Sequence, residues 1–458
     1  MEALKSIEFP CLRLPEEVSG ARLLGLYPQA QEGYWMQRVK ITGGLLSGAQ
    51  WRALSNIMRE FTPDTPLHLT TRQDIELHDI RGEQVPSVQK GLARAGLSGV
   101  GACGDTLRNI TVCSCSGLFA GAVDLHPLAK QMRQELEGWE GIYRLPRKFK
   151  ISLSCGREGC DGQPWINDLG FMAQQKNGER SFTVTAGGSL GVRPGTAMKL
   201  FDELKVGEVL ALARAVVEIF QENGDRGNRR RARLRHVRER WGDEAFSKLL
   251  KERWEAVKKT YNVKPVELKE PGKFYPACVT LTFAQGDVRA EAAEALAELA
   301  EGDNNEVRIA NQHRVLVFGR DKLELGRRIY ESADLRQAAA ERLSIVACPG
   351  KRYCRRGLTD TAALANSLRA ELTGKTEVQR TICISGCPNS CAHSAVAEIG
   401  LIGGLAGRGD ERQEVYNILM GGGMGRNDIL ARQVAAKLPV DKTVDKVKEL
   451  LNKRKKFD

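Results

Sequence analysis

The sequence lacks the runs of about eighteen uninterrupted apolar residues that a membrane-spanning helix requires. Its start, MEALKSIEFPCLRLPEE, contains acidic residues where a secretory signal peptide has a basic end and an apolar stretch. Gly and Pro, at 47 and 16 of 458 residues, are too few for a collagenous or low-complexity chain. With 42% hydrophobic and 28% charged residues, the composition is that of a soluble globular protein, which we expect in the cytoplasm. The length allows about three domains.

Cysteine is the chemically informative residue type in this chain. There are 12 cysteines, and a cytoplasmic protein is unlikely to use them as disulfides, because that compartment keeps thiols reduced. Metal or cluster ligation is then the leading explanation for closely spaced cysteines. The net charge of +12 favours anionic partners, which include nucleic acid, an anionic cofactor with its substrate, or an acidic protein.

Two pairs of distant segments read alike. From Tyr34 a strand pattern passes through glycines into a helical pattern and ends in the strand-like LHLTTRQDIELHDI, and the same order recurs from Tyr275. FTVTAGGSLGVRPGTAMKLFD from Phe182 resembles YNILMGGGMGRNDILARQVA from Tyr416, and each predicts a strand, a glycine turn and then a helix. We interpret these pairs as an internal duplication in which each half has a β-α-β unit, a cysteine-containing loop and a glycine-rich turn.

The segment from about Met198 to Lys269 is rich in Leu, Ala, Lys, Arg and Glu, and it predicts a mostly helical linker between the halves. It contains the densest basic run of the chain, RGNRRRARLRHVRER, from Arg226 to Arg240. Such a run is either a solvated helical face or a surface that faces an anion.

Five cysteines near the C-terminus form two close groups, ACPGKRYC and CISGCPNSC. Four thiolates at C-x5-C and C-x3-C spacing would supply the all-cysteine shell of an iron-sulfur cluster. Zinc sites more often use C-x2-C or C-x4-C spacing, and structural cysteines rarely cluster this closely, so the cluster is favoured. Spacing alone leaves the ligand set open, because Cys383 precedes Cys387 by the same interval that separates Cys387 from Cys391.

With GCPNSC and the preceding C-x5-C pair, the sequence resembles the siroheme sulfite and nitrite reductase family. LTTRQ (69–73), GDTLRN (104–109) and LPRKFK (145–150) also resemble family signatures, and the resemblance extends from about residue 30 to about residue 435. It implies an α+β fold that is internally duplicated, with two pseudo-symmetric ferredoxin-like β-α-β units plus two α/β halves that bind siroheme and the cluster. The implied domains are a ferredoxin-like half-domain at 1–97, a siroheme-binding half at 98–215, a helical basic linker at 216–270, a second ferredoxin-like half-domain at 271–337, and a 4Fe-4S and siroheme-binding half at 338–458.

The resemblance also implies the site. It assigns a 4Fe-4S cluster to Cys348, Cys354, Cys387 and Cys391, with Cys391 shared between the cluster and siroheme. It assigns the cationic pocket over siroheme to Arg72, Arg108, Lys148 and Lys150. The remaining residues assigned to the cofactors are Gln73, Asn109, Asn389, Gly187, Gly188, Gly421, Gly422 and Gly423, of which the glycines would offer backbone N–H groups at helix N-termini. Lys148 and Lys150 would point to the same side of a strand.

Besides Cys11, five further cysteines lie in the N-terminal half, namely Cys103, Cys113, Cys115, Cys155 and Cys160. By the internal repeat they correspond to the C-terminal cysteine groups. We expect remnants of a symmetric ancestor and a single cluster, with a second metal centre as the alternative. The sequence contains no ferredoxin-type C-x2-C-x2-C-x3-C-P run, and no Rossmann G-x-G-x-x-G motif follows a clear strand. Electrons would therefore come from outside, from ferredoxin or another low-potential donor.

The expected function is the six-electron reduction of sulfite to sulfide, with reduction of nitrite to ammonia as the alternative. Lys150 favours sulfite, because plant-type nitrite reductases resemble this chain but carry Asn there, whereas other bacterial nitrite reductases also carry Lys. An oxygen-using enzyme of cobalamin synthesis resembles the same family but does not need the K-x-K pocket. A nucleic-acid-binding protein is the remote alternative, supported only by the basic run and by no RRM or KH signature. We expect no nucleic acid and no membrane span.

Overall fold

The computed structural model describes residues 18–119, 122–156, 160–264, 266–268, 275–301, 304–373, 381–424 and 429–454. Within these residues the chain forms four β-sheets that are flanked by helices. The sheets fall into two similar pairs, so the duplicated α+β fold predicted from the repeats is confirmed. No described helix is long and apolar enough to cross a membrane.

The first pair of sheets belongs to the two ferredoxin-like units. One sheet has the strand order β1-β2-β4-β3-β11 and the other has the order β10-β13-β12. The strands are β1 (Leu26–Pro28), β2 (Tyr34–Val39), β3 (Leu67–Leu69), β4 (Ile75–Arg81), β10 (Ala277–Thr282), β11 (Asp287–Val288), β12 (Asn305–Ile309) and β13 (Arg314–Gly319). The helices are α1 (Val18–Leu23), α2 (Gly48–Phe61), α3 (Val85–Arg94), α8 (Ala290–Leu299), α9 (Lys322–Glu331) and α10 (Ala333–Ala340).

These two units share one hydrophobic core. Helix α2 begins at a capping box in which Ser47 and Gln50 satisfy each other's free backbone N–H groups. Its buried face, which includes Trp51 and Leu54, packs with Leu296 of α8. Strand β11 pairs with β3, so a strand of the second unit extends the sheet of the first. The units therefore form one body around the helix pair.

The second pair of sheets belongs to the two α/β halves, and both sheets have the same topology. Their orders are β5-β6-β7-β8-β9 and β14-β15-β16-β17-β18, in which the first three strands are parallel and the later pairs are antiparallel. The first sheet contains β5 (Leu107–Val112), β6 (Phe149–Ser154), β7 (Leu169–Lys176), β8 (Glu179–Ala186) and β9 (Met198–Lys205). The second contains β14 (Ser344–Ala347), β15 (Thr381–Ser385), β16 (Ile399–Ala406), β17 (Gln413–Met420) and β18 (Arg432–Pro439).

A crossover helix connects the first two strands of each sheet, as parallel neighbours require. The helices of these halves are α4 (His126–Glu137), α5 (Val209–Asn223), α6 (Leu234–Trp241), α7 (Asp243–Thr260), α11 (Gly350–Tyr353), α12 (Thr361–Leu372) and α13 (Val440–Arg454). Helix α4 connects β5 to β6, and α12 occupies the same place between β14 and β15. The carboxyl ends of these parallel strands meet at one edge of each sheet, where the cysteine-containing loops begin.

The helices predicted after the two glycine turns are wrong. Strand β9 follows the turn at Gly187 and Gly188, and strand β18 follows the turn at Gly421–Gly423, with residues 425–428 outside the described part. Both segments pair antiparallel with the preceding strand, and this pairing outweighs the weak helical pattern of their sequences.

The predicted linker also differs from the structure. Met198–Lys205 is strand β9, and the helices α5, α6 and α7 pack into the core of the first α/β half through residues such as Phe220 and Phe246. Helix α5 runs across the expected boundary between residues 215 and 216. The basic run is likewise tied into this half, since Arg233 forms a buried ion pair of 2.7 Å with Asp168. This stretch is therefore part of a domain.

Candidate active site and cofactor centre

The four cysteines that the resemblance assigns to the cluster lie around the carboxyl edge of the second α/β sheet. Cys348 follows β14 directly, and Cys387 lies two residues beyond β15, its parallel neighbour. Cys354 follows α11 and is exposed, as is Cys391. Burial raises the pKa of the Cys348 thiol, and the neighbouring Cys391 and Cys387 raise it further. The four side chains therefore belong to one neighbourhood.

Cys383, the rival ligand that spacing left open, lies within strand β15, whereas the other four cysteines lie outside the strands. It is fully buried in β15 and packs against Val346, Ala392 and Ala397. This apolar environment raises the pKa of its thiol to about 12. A buried thiol held in its neutral form is typical of a core side chain and not of a metal ligand.

The LTTRQ segment reaches the loop that carries Cys391. The Thr71 hydroxyl donates a 2.9 Å hydrogen bond to the Cys391 carbonyl oxygen. The next residue, Arg72, extends its guanidinium toward the first α/β half, where it donates to Asn167 Oδ1 and the Asn109 carbonyl, both at 2.6 Å. Burial lowers the pKa of Arg72 to about 10, so it remains a cation at neutral pH. The segment therefore contacts the Cys391 loop through Thr71 and directs the positive charge of Arg72 into the first α/β half.

Lys148 and Lys150 supply two further cations at the start of β6. Burial lowers the pKa of Lys148 to about 7, and the neighbouring Arg108 lowers it too, whereas Cys391 acts in the opposite direction. Burial also lowers the pKa of Lys150, and the charges of Arg72 and Lys148 lower it further. The two lysines, the two arginines and Cys391 therefore lie close enough for their charges to interact.

The pocket gathers more basic side chains than acidic ones. Asp168 is committed to Arg233, and it also accepts a 2.8 Å hydrogen bond from the Lys150 backbone N–H. Arg108 donates to the Ala102 and Gly104 carbonyls. Among the described residues, no carboxylate forms an ion pair with Lys148, Lys150 or Arg108. Half-buried cations without carboxylate partners are costly unless an anion occupies the pocket.

Gln73 and Asn109, which the resemblance assigns to the cofactor, link neighbouring segments of the fold by hydrogen bonds. The buried Gln73 amide donates to the Val112 and Ile309 carbonyls at 2.8 and 3.0 Å and accepts from the Val112 N–H. The Asn109 amide donates to the Ile41 and Arg72 carbonyls at 2.6 and 3.0 Å. Both side chains therefore position the Arg72 loop, although Asn109 Oδ1 is left without a partner.

The glycine turns do not offer free backbone donors of the predicted kind. Gly187 and Gly188 donate their N–H groups to the Asp168 and Asn167 carbonyls, and Gly421 and Gly422 donate theirs to Glu398 and Ala397. Gly423 donates to the Ile429 carbonyl. The helix N-terminus rationale for these five residues is therefore wrong, because strands follow the turns and backbone carbonyls take the N–H groups.

Asn389 has a different environment from the glycines. It is exposed in the loop between Cys387 and Cys391, and hydrogen bonds from its backbone and side chain act to lower the pKa of the Cys387 thiol, against the larger effect of burial. A hydrogen-bond donor directed at a thiolate stabilises its charge and helps to orient it as a metal ligand.

Several site residues escaped the sequence analysis. Arg233 and Asp168 form the buried ion pair beneath the lysines, and His393 lies close enough to Lys150 and Arg72 for both to lower its pKa, after burial. The basic run contained Arg233, but no pattern separated it from its neighbours. His393, two residues after Cys391, was detectable only from its position.

The residues present fit the two cofactors that the resemblance implies. Four cysteines provide soft anionic sulfur at one sheet edge, which suits iron. The adjoining pocket offers unneutralised lysine and arginine side chains, which suit the carboxylates of siroheme and a small oxyanion. The fold and the site together define an oxidoreductase that couples an iron-sulfur centre to an oxyanion pocket.

Comparison with known proteins agrees with this class. The chain matches the description "Nitrite and sulphite reductase 4Fe-4S domain" over residues 103–258 and 338–453, and "Nitrite/Sulfite reductase ferredoxin-like half domain" over residues 27–95. The chain belongs to the siroheme-dependent nitrite and sulfite reductase family, whose cofactors are siroheme and a 4Fe-4S cluster.

Individual relatives include both substrate classes. The chain is 30% identical to the ferredoxin–nitrite reductase of Synechococcus elongatus, covering 92% of this chain and 86% of that protein. It is 29% identical to the assimilatory ferredoxin-dependent nitrite reductase of Haloferax mediterranei, covering 93% and 80%. It is also 30% identical to the sulfite reductase hemoprotein beta-component of Acidithiobacillus ferrooxidans, covering 85% and 76%. The NirA protein of Mycobacterium tuberculosis shares the fold, with a TM-score of 0.77 over 94% of this chain and 86% of NirA at 23% identity.

Proposed function

We propose that this protein reduces nitrite to ammonia with six electrons from a ferredoxin-type donor. The pocket of Arg72, Arg108, Lys148 and Lys150 beside Cys391 is the observation that carries the reduction of a small oxyanion. The similarity to ferredoxin-dependent nitrite reductases over most of the chain supports nitrite as the substrate and ferredoxin as the donor. The expectation of sulfite as first choice gives way to the alternative, nitrite.

The thiolates of Cys348, Cys354, Cys387 and Cys391 would hold the cluster, and Cys391 would also bind the siroheme iron. Siroheme, when bound, supplies the iron to which the substrate is attached while electrons arrive from the cluster. The exposed position of Cys391, beside the pocket of cations, fits this shared role. Cys383, being buried in the core, does not belong to the set.

The pocket residues would hold the oxyanion and deliver protons. Reduction of nitrite removes both oxygens as water, so the site must supply protons as well as electrons. Arg72 stays charged and can orient a substrate oxygen with its guanidinium. Lys148, with a pKa of about 7, can give up its proton near neutral pH and regain it from solvent. Thr71 and Asn109 hold the Arg72 loop in place.

Sulfite is the second candidate. Lys148 and Lys150 place two amines in one pocket, and a dianionic oxyanion would favour the protonation of both more than a monoanionic one would. Similarity to a sulfite reductase hemoprotein component also supports this substrate.

Steady-state turnover on the two substrates with the same reduced donor separates these candidates. We expect kcat/KM for nitrite to exceed that for sulfite. A higher kcat/KM for sulfite would reverse the assignment, and turnover of neither substrate by protein loaded with both cofactors would overturn the proposal. The Lys150→Asn variant adds a directed test, because removing one cation should impair sulfite more than nitrite if charge governs the preference.

A further inference from the structure

A second group of four thiols lies in the first α/β half. The Sγ atoms of Cys113, Cys115, Cys155 and Cys160 all lie within 4.8 Å of one another. The Cys115 and Cys155 sulfurs are 3.4 Å apart. Cys103, the fifth cysteine of this half, is buried outside the group. None of the four belongs to the reductase site described above.

The fold places this group at the carboxyl edge of the first α/β sheet. Cys113 follows β5 directly and Cys155 follows β6 directly, and these strands are parallel neighbours. Cys115 lies two residues after Cys113, and Cys160 lies five residues after Cys155, with residues 157–159 outside the described part. Two loops from adjacent strands therefore each contribute two thiols.

This edge is the pseudo-symmetric counterpart of the one that carries the C-terminal cysteines. Cys348 follows β14 as Cys113 follows β5, and Cys387 comes after β15 as Cys155 comes after β6. The second sheet repeats the strand order and the parallel pairing of the first. Each half of the duplicated fold therefore has a sheet edge whose cysteine-containing loops can bind a metal.

Arg308 of the second ferredoxin-like unit and Asp161 of the same half hold the first loop in its shape. Arg308 of β12 donates through Nη1 to the Ser114 and Ser116 carbonyls, at 3.0 and 2.6 Å, on either side of Cys115. The Asp161 carboxylate accepts hydrogen bonds from the backbone N–H groups of Ser114 at 2.7 Å and Asn311 at 3.1 Å. Asp161 thus supports the loop, and it is not part of the group of four thiols.

Hydrogen bonds also point at the sulfur atoms. The Cys155 N–H donates to Cys113 Sγ at 3.1 Å, and the Gly162 N–H donates to Cys160 Sγ at 3.4 Å. Donors to sulfur favour thiolates, and four thiolates in contact repel one another unless a cation neutralises them. The arrangement is that of a metal site with its supporting shell.

The spacing of the sulfur atoms distinguishes a single ion from a cluster. Four thiolates arranged tetrahedrally around one zinc, at Zn–S distances of about 2.3 Å, stand about 3.8 Å from one another. A 4Fe-4S cluster separates its ligands more widely, because each thiolate binds a different iron at a corner of the cube. The observed spacing, from 3.4 Å to no more than 4.8 Å, fits the single ion.

We propose that Cys113, Cys115, Cys155 and Cys160 bind one tetrahedral zinc ion, separate from the 4Fe-4S cluster. Four thiolates leave no open coordination position, which is typical of a structural zinc site. This proposal replaces the expectation that these cysteines are metal-free remnants.

The ion would fix the ends of two strands that serve the reductase pocket. Strand β5 carries Arg108 and β6 carries Lys150, and their loops would be joined through the metal. Val112, the last residue of β5, forms backbone hydrogen bonds with the side chain of Gln73, the residue that follows Arg72. Zinc binding in the first half would thus stabilise the wall of the pocket without taking part in electron transfer.

Metal analysis of the purified holoenzyme, with X-ray absorption at the zinc edge, tests the proposal. We expect one zinc per chain with four sulfur ligands, in addition to the five irons of one siroheme and one 4Fe-4S cluster. Nine irons without zinc would show a second cluster and overturn the proposal. Zinc bound by nitrogen or oxygen, or no additional metal with these thiols free or joined as a disulfide, would also overturn it.

A matched pair of variants locates the ion. Cys115→Ser with Cys160→Ser should lose the zinc while keeping the five irons and the siroheme spectrum, because the C-terminal cysteines are intact. Cys278→Ser, which changes an exposed cysteine of β10 outside both groups, should keep all metals. Full zinc content in the double variant would overturn the assignment, and if that variant does not fold, the wild-type analysis still decides.

Discussion

Single side chains set the charge of the reductase pocket, and Lys148 and Lys150 contribute cations that no carboxylate among the described residues neutralises. We expect Lys148→Ala and Lys150→Ala to reduce kcat by about 10² to 10⁴, the usual contribution of a proton-delivering group. Siroheme content should stay normal, because many other groups hold the cofactor. Lys130→Ala, at an exposed position of α4, is the control and should leave kcat unchanged. Normal turnover of both substrates by both pocket variants would show that the pocket is misassigned.

The lowered pKa of Lys148 predicts that kcat depends on pH. A proton donor acts in its protonated form, and burial together with Arg108 lowers the pKa of Lys148 to about 7. The protonated fraction therefore falls as pH rises through about 7, and kcat should fall with it. In Lys148→Arg the guanidinium stays protonated, so the descending limb should disappear from the pH profile of kcat even if the rate is lower. An unchanged limb in that variant would assign the titration to another group.

Cys391 and Cys383 provide a second test at this scale. Cys391→Ser should lose iron and the coupled siroheme spectrum, since a serine hydroxyl is a poor substitute for a thiolate ligand. Cys383→Ala removes a buried core thiol and should retain iron and activity. Analysis of iron and acid-labile sulfide distinguishes the two. Equal loss in both variants, or normal iron in Cys391→Ser, would contradict the proposed ligand set.

At the level of elements, the glycine turns have a packing role that differs from the one predicted. A Cβ at Gly188 would stand closer than 3.0 Å to the Trp165 and Asn167 carbonyl oxygens, and a Cβ at Gly422 would meet Val396 and Ala397 in the same way. Each turn closes onto the short 3-10 helix that precedes β7 or β16. The glycines are needed because the backbones approach closely.

This close approach predicts a stability change. Gly188→Ala should lower the free energy of unfolding by about 1–3 kcal/mol, the usual cost of overpacking. Gly326→Ala in α9, where a Cβ meets nothing within 4 Å, is the control and should be neutral or slightly stabilising. Denaturant unfolding of the two variants measures both effects. Equal stability of Gly188→Ala and wild type would show that the turn can relax.

Sequence reasoning was successful where the signal was local or repeated. The β-α-β units, the duplication and the cysteine groups all follow from periodicity and spacing. The strands β9 and β18 did not, because their short segments carry helix-like patterns and take their conformation from pairing with β8 and β17. The ion pair of Arg233 with Asp168 and the approach of His393 to Lys150 also depend on long-range packing, which spacing does not reveal.

At the level of the whole molecule, the net charge of +12 favours an acidic electron donor. Turnover driven by ferredoxin should fall as ionic strength rises from about 10 mM to about 150 mM, because the Debye length shrinks from about 30 Å to about 8 Å. A small-molecule reductant should show a weaker dependence and serves as the control. A ferredoxin-driven rate that does not change with salt, measured where donor binding limits turnover, would contradict electrostatic docking.

The cationic pocket beside Cys391 is proposed to support the complete six-electron reduction of nitrite to ammonia. The most direct measurement is the amount of ammonium formed per electron consumed, with a reduced dye of known concentration and nitrite in excess. We expect one ammonium for every six electrons in the wild-type enzyme. Consumption of electrons without ammonium, or release of a partly reduced nitrogen product in its place, would contradict it.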